Sequence, residues 1–100
     1  MSTPLYTIRY RGTLHPDSLT LIVESEAEAG RHYLFHCRPD HCHLTPLDSS
    51  ELTHPALSWP GWQRVTPVGP YPLDALRSLA TGAINAHHLP PLLAADELHA

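Results

Sequence analysis

Within the first 37 residues, three short stretches alternate apolar and polar side chains with the two-residue period of a half-buried strand. Leu5 to Arg11 sets Tyr6, Ile8 and Tyr10 on one face and Thr7, Arg9 and Arg11 on the other. Leu19 to Glu24 is rich in β-branched and apolar residues, with Leu19, Leu21 and Val23 sharing a face. Arg31 to Cys37 sets Tyr33, Phe35 and Cys37 against His32, Leu34 and His36. Gly12 with His15-Pro16-Asp17 separates the first two stretches, and Glu26 to Gly30 separates the next two. Spacing this short leaves room for turns and not for crossover helices, so the pattern predicts an antiparallel meander.

The rest of the chain reads differently. Leu44 to Gly61 lacks a period, and its Pro46, Asp48-Ser49-Ser50, Pro55 and Pro60-Gly61 predict loops around a short strand or helical turn. Trp62 to Val68 is expected to be a fourth strand, which Pro67 confines to an edge or ends. After it, Pro72 suits a first helical turn and Asp74 complements the helix dipole. Leu73, Leu76, Leu79 and Ala80 form the apolar stripe, and Gly82 is the expected stop. A second short helix is expected to begin at Pro90-Pro91. The predicted fold class is α+β: an antiparallel sheet of three to five strands with one or two C-terminal helices. One hundred residues is the size of one domain, so residues 1–100 are read as a single small globular unit.

Charge narrows the partner classes. All six cations are arginines, and ten carboxylates leave a net charge of −4. Only Arg9 and Arg11 sit together, so the basic stripe of a nucleic-acid binder is missing and no nucleic-acid partner is expected. The acidic run Glu24-Ser25-Glu26-Ala27-Glu28 is expected to be a solvated turn. Apolar runs are far shorter than the roughly 20 residues of a spanning helix, and the N-terminus lacks the basic start and apolar stretch of a signal peptide. The expected location is cytoplasmic, with no membrane partner.

The densest group of reactive side chains is His36-Cys37-Arg38-Pro39-Asp40-His41-Cys42-His43. Proline at the second position makes Arg38 to His41 a turn, and a hairpin about it sets Cys37 opposite Cys42 and His36 opposite His43. The cysteines then share the face of Phe35 and Leu44, and the histidines share the other. The adopted reading is that both cysteines are small apolar core residues. A cross-strand disulfide or redox pair is an alternative. A zinc module would use Cys37, Cys42, His41 and His43, yet the hairpin divides these ligands between faces and Cys-x4-Cys is looser than a zinc knuckle. A thiol hydrolase or transferase would need Cys37 or Cys42 beside an imidazole, with His36 or His87 as the base. Neighbours on a strand point to opposite faces, so His36 cannot serve Cys37. No metal and no cofactor is expected.

No complete catalytic motif appears, while two tryptophans, four tyrosines and eleven prolines in a weakly charged chain offer apolar surface. The reading is therefore a non-enzymatic binding or protein-interaction domain whose partner is another protein or a second copy of itself. Trp59, Trp62 and Tyr71 are the candidate binding residues, although the favoured reading of the two tryptophans is as core anchors, because each buries a large area.

The stretch Leu19-Thr-Leu-Ile-Val23, the acidic and glycine-closed connection, and Tyr33-Leu-Phe-His36 resemble the paired central strands of permuted papain-like proteins. That superfamily includes lecithin:retinol acyltransferase, and small uncharacterised fungal proteins have a similar layout. In the family, a strand beginning His-Trp precedes a strand ending in a second histidine, and a helix beginning Asn-Cys carries the nucleophile. His36 matches the second histidine. Asp17-Ser18 stand where the first would be, and Ala86 stands in the nucleophile's place within Asn85-Ala86-His87-His88-Leu89. The resemblance thus implies a degenerate relative without the catalytic pair.

Overall fold

A computed structural model describes residues 3–47 and 63–93 of the chain. The described strands are β1 (Leu5–Arg11), β2 (Leu19–Ser25), β3 (His32–Cys37), β4 (Cys42–Leu47) and β5 (Gln63–Pro72). They form one antiparallel sheet in the order β4-β3-β2-β1-β5. Helix α1 (Leu73–Ala86) and a 3-10 turn (Pro91–Leu93) follow. The α+β class and the N-terminal meander expected from the alternation are what the chain adopts.

One face of the sheet holds the core. Ile8, Leu19, Leu21, Val23, Phe35, Cys37 and Val65 meet Leu76, Ala80, Ala83 and Ile84 of α1 and Leu93 of the 3-10 turn, all buried. Strand β2 lies in the middle and is buried along Leu19, Leu21, Ile22 and Val23. Ile22 is also fully buried but points away from α1 and stands outside this cluster.

Strand β1 departs from simple alternation. Ile8 pairs with Val23, but Tyr10 pairs with Ile22 and Arg11 with Leu21, because a bulge intervenes. The extra residue reverses the facing, so Tyr10 leaves the face of Ile8 and Arg11 joins it. The Arg11 guanidinium then donates from Nε to the Leu93 carbonyl at 2.6 Å and from Nη2 to Gln63 Oε1 at 3.0 Å. Burial holds its pKa below the ordinary arginine value.

Four boundaries differ from the sequence expectation. The chain after Cys42 is a strand as far as Leu47, Pro46 included. The Arg38 N–H donates to the His41 carbonyl at 2.8 Å, which makes Cys37–Cys42 a non-hydrogen-bonded pair and, by alternation, Tyr33–Pro46 another. Proline therefore stands where its missing N–H would have faced away from β3, on the outer side of the described sheet. Strand β5 runs on past Val68 to Pro72; Pro67 sits on an edge strand without ending it.

Helix α1 passes Gly82 and ends at Ala86. Its buried stripe is Leu76, Ala80, Ala83 and Ile84, so burial continues beyond the glycine, while Leu73 is exposed. His87 supplies the left-handed cap (φ 53°), and the His87 and His88 N–H groups close back onto Ile84 and Ala83. Pro72 is the N-cap and not the first helical residue.

Candidate binding cleft

A cleft opens at the end of the sheet where β1 begins and β2 turns into β3. Its volume is about 490 Å³, within the range of small-ligand sites, and its lining includes Pro4, Tyr6, Ser25, Glu26, Glu28 and Tyr33. A smaller hollow of about 180 Å³ continues past Tyr6 to Pro72 and Asp74 at the start of α1.

Strand register builds the cleft. Tyr6 pairs with Tyr71 on one side and Ser25 on the other, and Val23 pairs with Tyr33. Three tyrosines thus lie along the helix-side face from β5 to β3, each packed partly against the core. Ser25, opposite Tyr6, is small and lines the cleft beside both rings. Those two rings meet edge to face, centroids 5.8 Å apart at 83°.

The β2–β3 turn sets the charges. Ser25 N–H donates to the Arg31 carbonyl at 2.9 Å, Arg31 N–H to the Glu28 carbonyl at 2.9 Å, and Glu26 N–H to the Leu5 carbonyl at 2.9 Å. Gly30, at φ +87°, supplies the left-handed residue that the turn needs. The acidic run expected to be a solvated turn is divided by this geometry. Glu24 is half-buried, accepting from Gly30 N–H at 2.8 Å and pairing with Arg9 at 2.6 Å. The Gly30 hydrogen bond first, and Arg9 after it, hold its pKa below the usual carboxylate range. Glu26 and Glu28 are exposed and, among the described residues, unpaired. Arg31 extends over the Tyr33 ring, its guanidinium carbon 5.7 Å from the centroid.

The hairpin that was expected to divide cysteines from histidines has the expected register, Cys37 opposite Cys42 and His36 opposite His43. The expectation of two unbonded apolar cysteines is corrected, because Cys37 and Cys42 are joined as a disulfide. They face each other across a non-hydrogen-bonded pair with Cα atoms 4.1 Å apart, where antiparallel strands come closest. Cys37 is fully buried and Cys42 half-buried against the core. Neither has a free thiol to act with His36 or His87.

His36 lies on the opposite face, its Nδ1 sharing a hydrogen bond with Thr20 Oγ1 at 2.9 Å. Burial, and after it Arg38, His43 and His41, lowers its pKa. His41 and His43 meet edge to face at 4.9 Å, and His41 also holds Asp40 at 2.9 Å. Among the described residues, no three His, Cys, Asp or Glu side chains are arranged to hold a metal ion. His87 is exposed at the C-terminal cap of α1.

Of the residues expected to bind a partner, Tyr71 stands beside Tyr6 in the tyrosine row, and Trp59 and Trp62 lie outside the described residues. The cleft residues Tyr6, Tyr33, Glu26 and Glu28 were not singled out by sequence. The signal was present as inward-facing tyrosines on β1 and β3, but it required the register between strands to bring them together. Compared with family models, curated proteins and solved structures, the chain matches none.

Proposed function

We propose that this chain is a small non-enzymatic binding domain that holds a short segment of a partner protein in the Tyr6–Tyr33 cleft. The observation that carries the reading is the open cleft itself, walled by two tyrosines that keep part of their surface uncovered. Tyrosine suits such a site because a rigid ring gives a large contact area and a polar edge at low entropic cost. The missing free thiol favours binding over thiol chemistry, and the resemblance to permuted papain-like domains without a nucleophile points the same way. Strand addition is a poorer mode of association for this sheet. Its β5 edge carries Pro67, Pro70 and Pro72 and its β4 edge carries Pro46, each removing a donor or bending the strand. No described helix is long and apolar enough to cross a membrane.

The test is a titration of the isotope-labelled chain with a pool of end-blocked hexapeptides of mixed composition. Amide shifts are expected at Ser25 to Glu28 and Tyr33, and Tyr33→Leu is expected to abolish them without disturbing the remaining spectrum. Shifts confined to other surfaces, or none with any pool, would overturn the reading.

A further inference from the structure

The cleft combines two aromatic rings with two exposed carboxylates, and that combination selects a particular side chain. We propose that it takes an arginine side chain of the bound segment, with Arg31 of the chain itself as a like charge set against the same Tyr33 ring. The inference rests on the reading of the cleft as a peptide site and adds the chemistry of its occupant.

A guanidinium is planar and weakly hydrated; it stacks on aromatic faces and forks onto carboxylates, whereas the lysine ammonium is a compact, strongly hydrated charge. The Tyr33 ring already accepts such a group, since Arg31 lies 5.7 Å from its centroid, within the range of a cation–π contact. Arg31 does not line the cleft, so the cleft side of the ring is left to another partner. Glu26 and Glu28 line the cleft and are exposed. The chain's own arginines leave them unserved. Arg9 pairs with Glu24, Arg11 is bound to Leu93 and Gln63, and neither Arg38, Arg64 nor Arg77 forms an ion pair among the described residues. At the other end of the groove Asp74 adds a third carboxylate, beside the smaller hollow. A net charge of −4 draws a cationic segment toward the chain. Among the described residues, Arg31 is the one permanent positive charge placed against the rings, so it repels an incoming guanidinium and shares its aromatic partner.

The experiment uses the full chain and three end-blocked tripeptides, Gly-Arg-Gly, Gly-Lys-Gly and Gly-citrulline-Gly, followed by amide shifts at Ser25 to Glu28 and Tyr33. Citrulline keeps the shape of arginine and removes the charge. The arginine peptide is expected to bind about tenfold more tightly than citrulline and about threefold more tightly than lysine, the scale of one exposed cation–π contact with a carboxylate fork. Replacing both Glu26→Gln and Glu28→Gln, which are exposed and leave the fold intact, is expected to cost about tenfold. Arg31→Ala is expected to tighten arginine binding about threefold by removing the like charge. Equal binding of arginine and citrulline, or weaker arginine binding to Arg31→Ala, would overturn the inference. Shifts at these amides with leucine- or tyrosine-bearing peptides, but none with arginine, would overturn it while leaving the peptide site standing. Silence at these amides with every peptide would remove both.

Discussion

Gly69→Ala and Gly82→Ala make the same chemical change and are expected to move stability in opposite directions. Gly69 lies in β5 at φ +130°, a region that L residues rarely enter. A Cβ built there would stand 2.9 Å from the Tyr6 carbonyl oxygen and 3.3 Å from both Thr7 Cα and Tyr71 N. All three are backbone atoms of paired strands, which cannot swing aside as a side-chain tip can. The backbone conformation alone costs an alanine about 1–3 kcal/mol. Displacing β1 from β5 adds to this, giving a loss of about 2–4 kcal/mol. Gly82 is exposed in α1, and a Cβ there would meet no atom within 4 Å. Alanine at that position should gain about 0.5–1 kcal/mol through helix propensity. In a domain of this size the melting temperature should fall by roughly 10–25 °C for Gly69→Ala and rise by roughly 3–6 °C for Gly82→Ala. Urea unfolding followed by circular dichroism, with thermal melts at the same pH, measures both. A Gly69→Ala protein within about 0.5 kcal/mol of wild type would refute the close approach of β5 to β1. Because the clash falls on Tyr6, that variant should also disturb the cleft, seen as amide shifts at Tyr6 and Ser25.

Three further outcomes are expected. The Cys37–Cys42 bond closes a short loop, since the residues are 5 apart in sequence, so full reduction should lower stability by about 2 kcal/mol from loop entropy. Unfolding with and without reductant, with thiol alkylation read by mass, checks this; an unchanged midpoint in fully reduced protein would contradict it. His36 has a folded pKa below its unfolded value, so the unfolded chain binds more protons as pH drops below about 6.5, and the stabilising effect present above that pH is lost on acidification. His36→Gln should flatten the corresponding slope of stability against pH, and an unaltered slope would count against its burial. Arg11→Met should cost about 1–2 kcal/mol through lost charged hydrogen bonds. It should also speed amide exchange first at Leu93, which a global destabilisation would not single out.

The hairpin at Cys37–Cys42 was legible because its information is local. Pro39 at a turn's second position fixes the register, and the register fixes which side chains face each other. The bulge in β1 was not legible. Thr7 to Arg11 alternates as well as any strand, and only pairing with β2 reveals the extra residue that turns Arg11 inward. Prolines misled in proportion to how little sequence says about edges. Pro46 reads as part of a loop, yet it sits in an outer strand, where a missing N–H need not interrupt the ladder; of the two outcomes expected for Pro67, an edge position or a strand end, the chain takes the edge. Gly82 misled for a related reason: a glycine ends a helix when the chain needs a left-handed residue there, and α1 places that residue at His87 instead.

The same distinction explains why the cleft escaped a reading of the sequence while the core did not. A core residue is marked by its own periodicity, because Leu19, Leu21 and Val23 need only to share a face. A binding surface depends on what its residues fail to meet. Tyr6 and Tyr33 belong to strands that do not touch, and they come together across β2 only because the residue paired with Tyr6 there is a serine. A larger residue at Ser25 would extend into the cleft that the two rings line. Ser25→Leu is accordingly the substitution that tells a ligand site from a packing flaw. A flaw filled by leucine should leave peptide binding untouched while raising stability by about 1 kcal/mol from the added apolar burial. A ligand site filled the same way should lose its peptide-induced shifts, whatever stability gains. Retained binding in a stably folded Ser25→Leu protein would place the partner elsewhere on the surface.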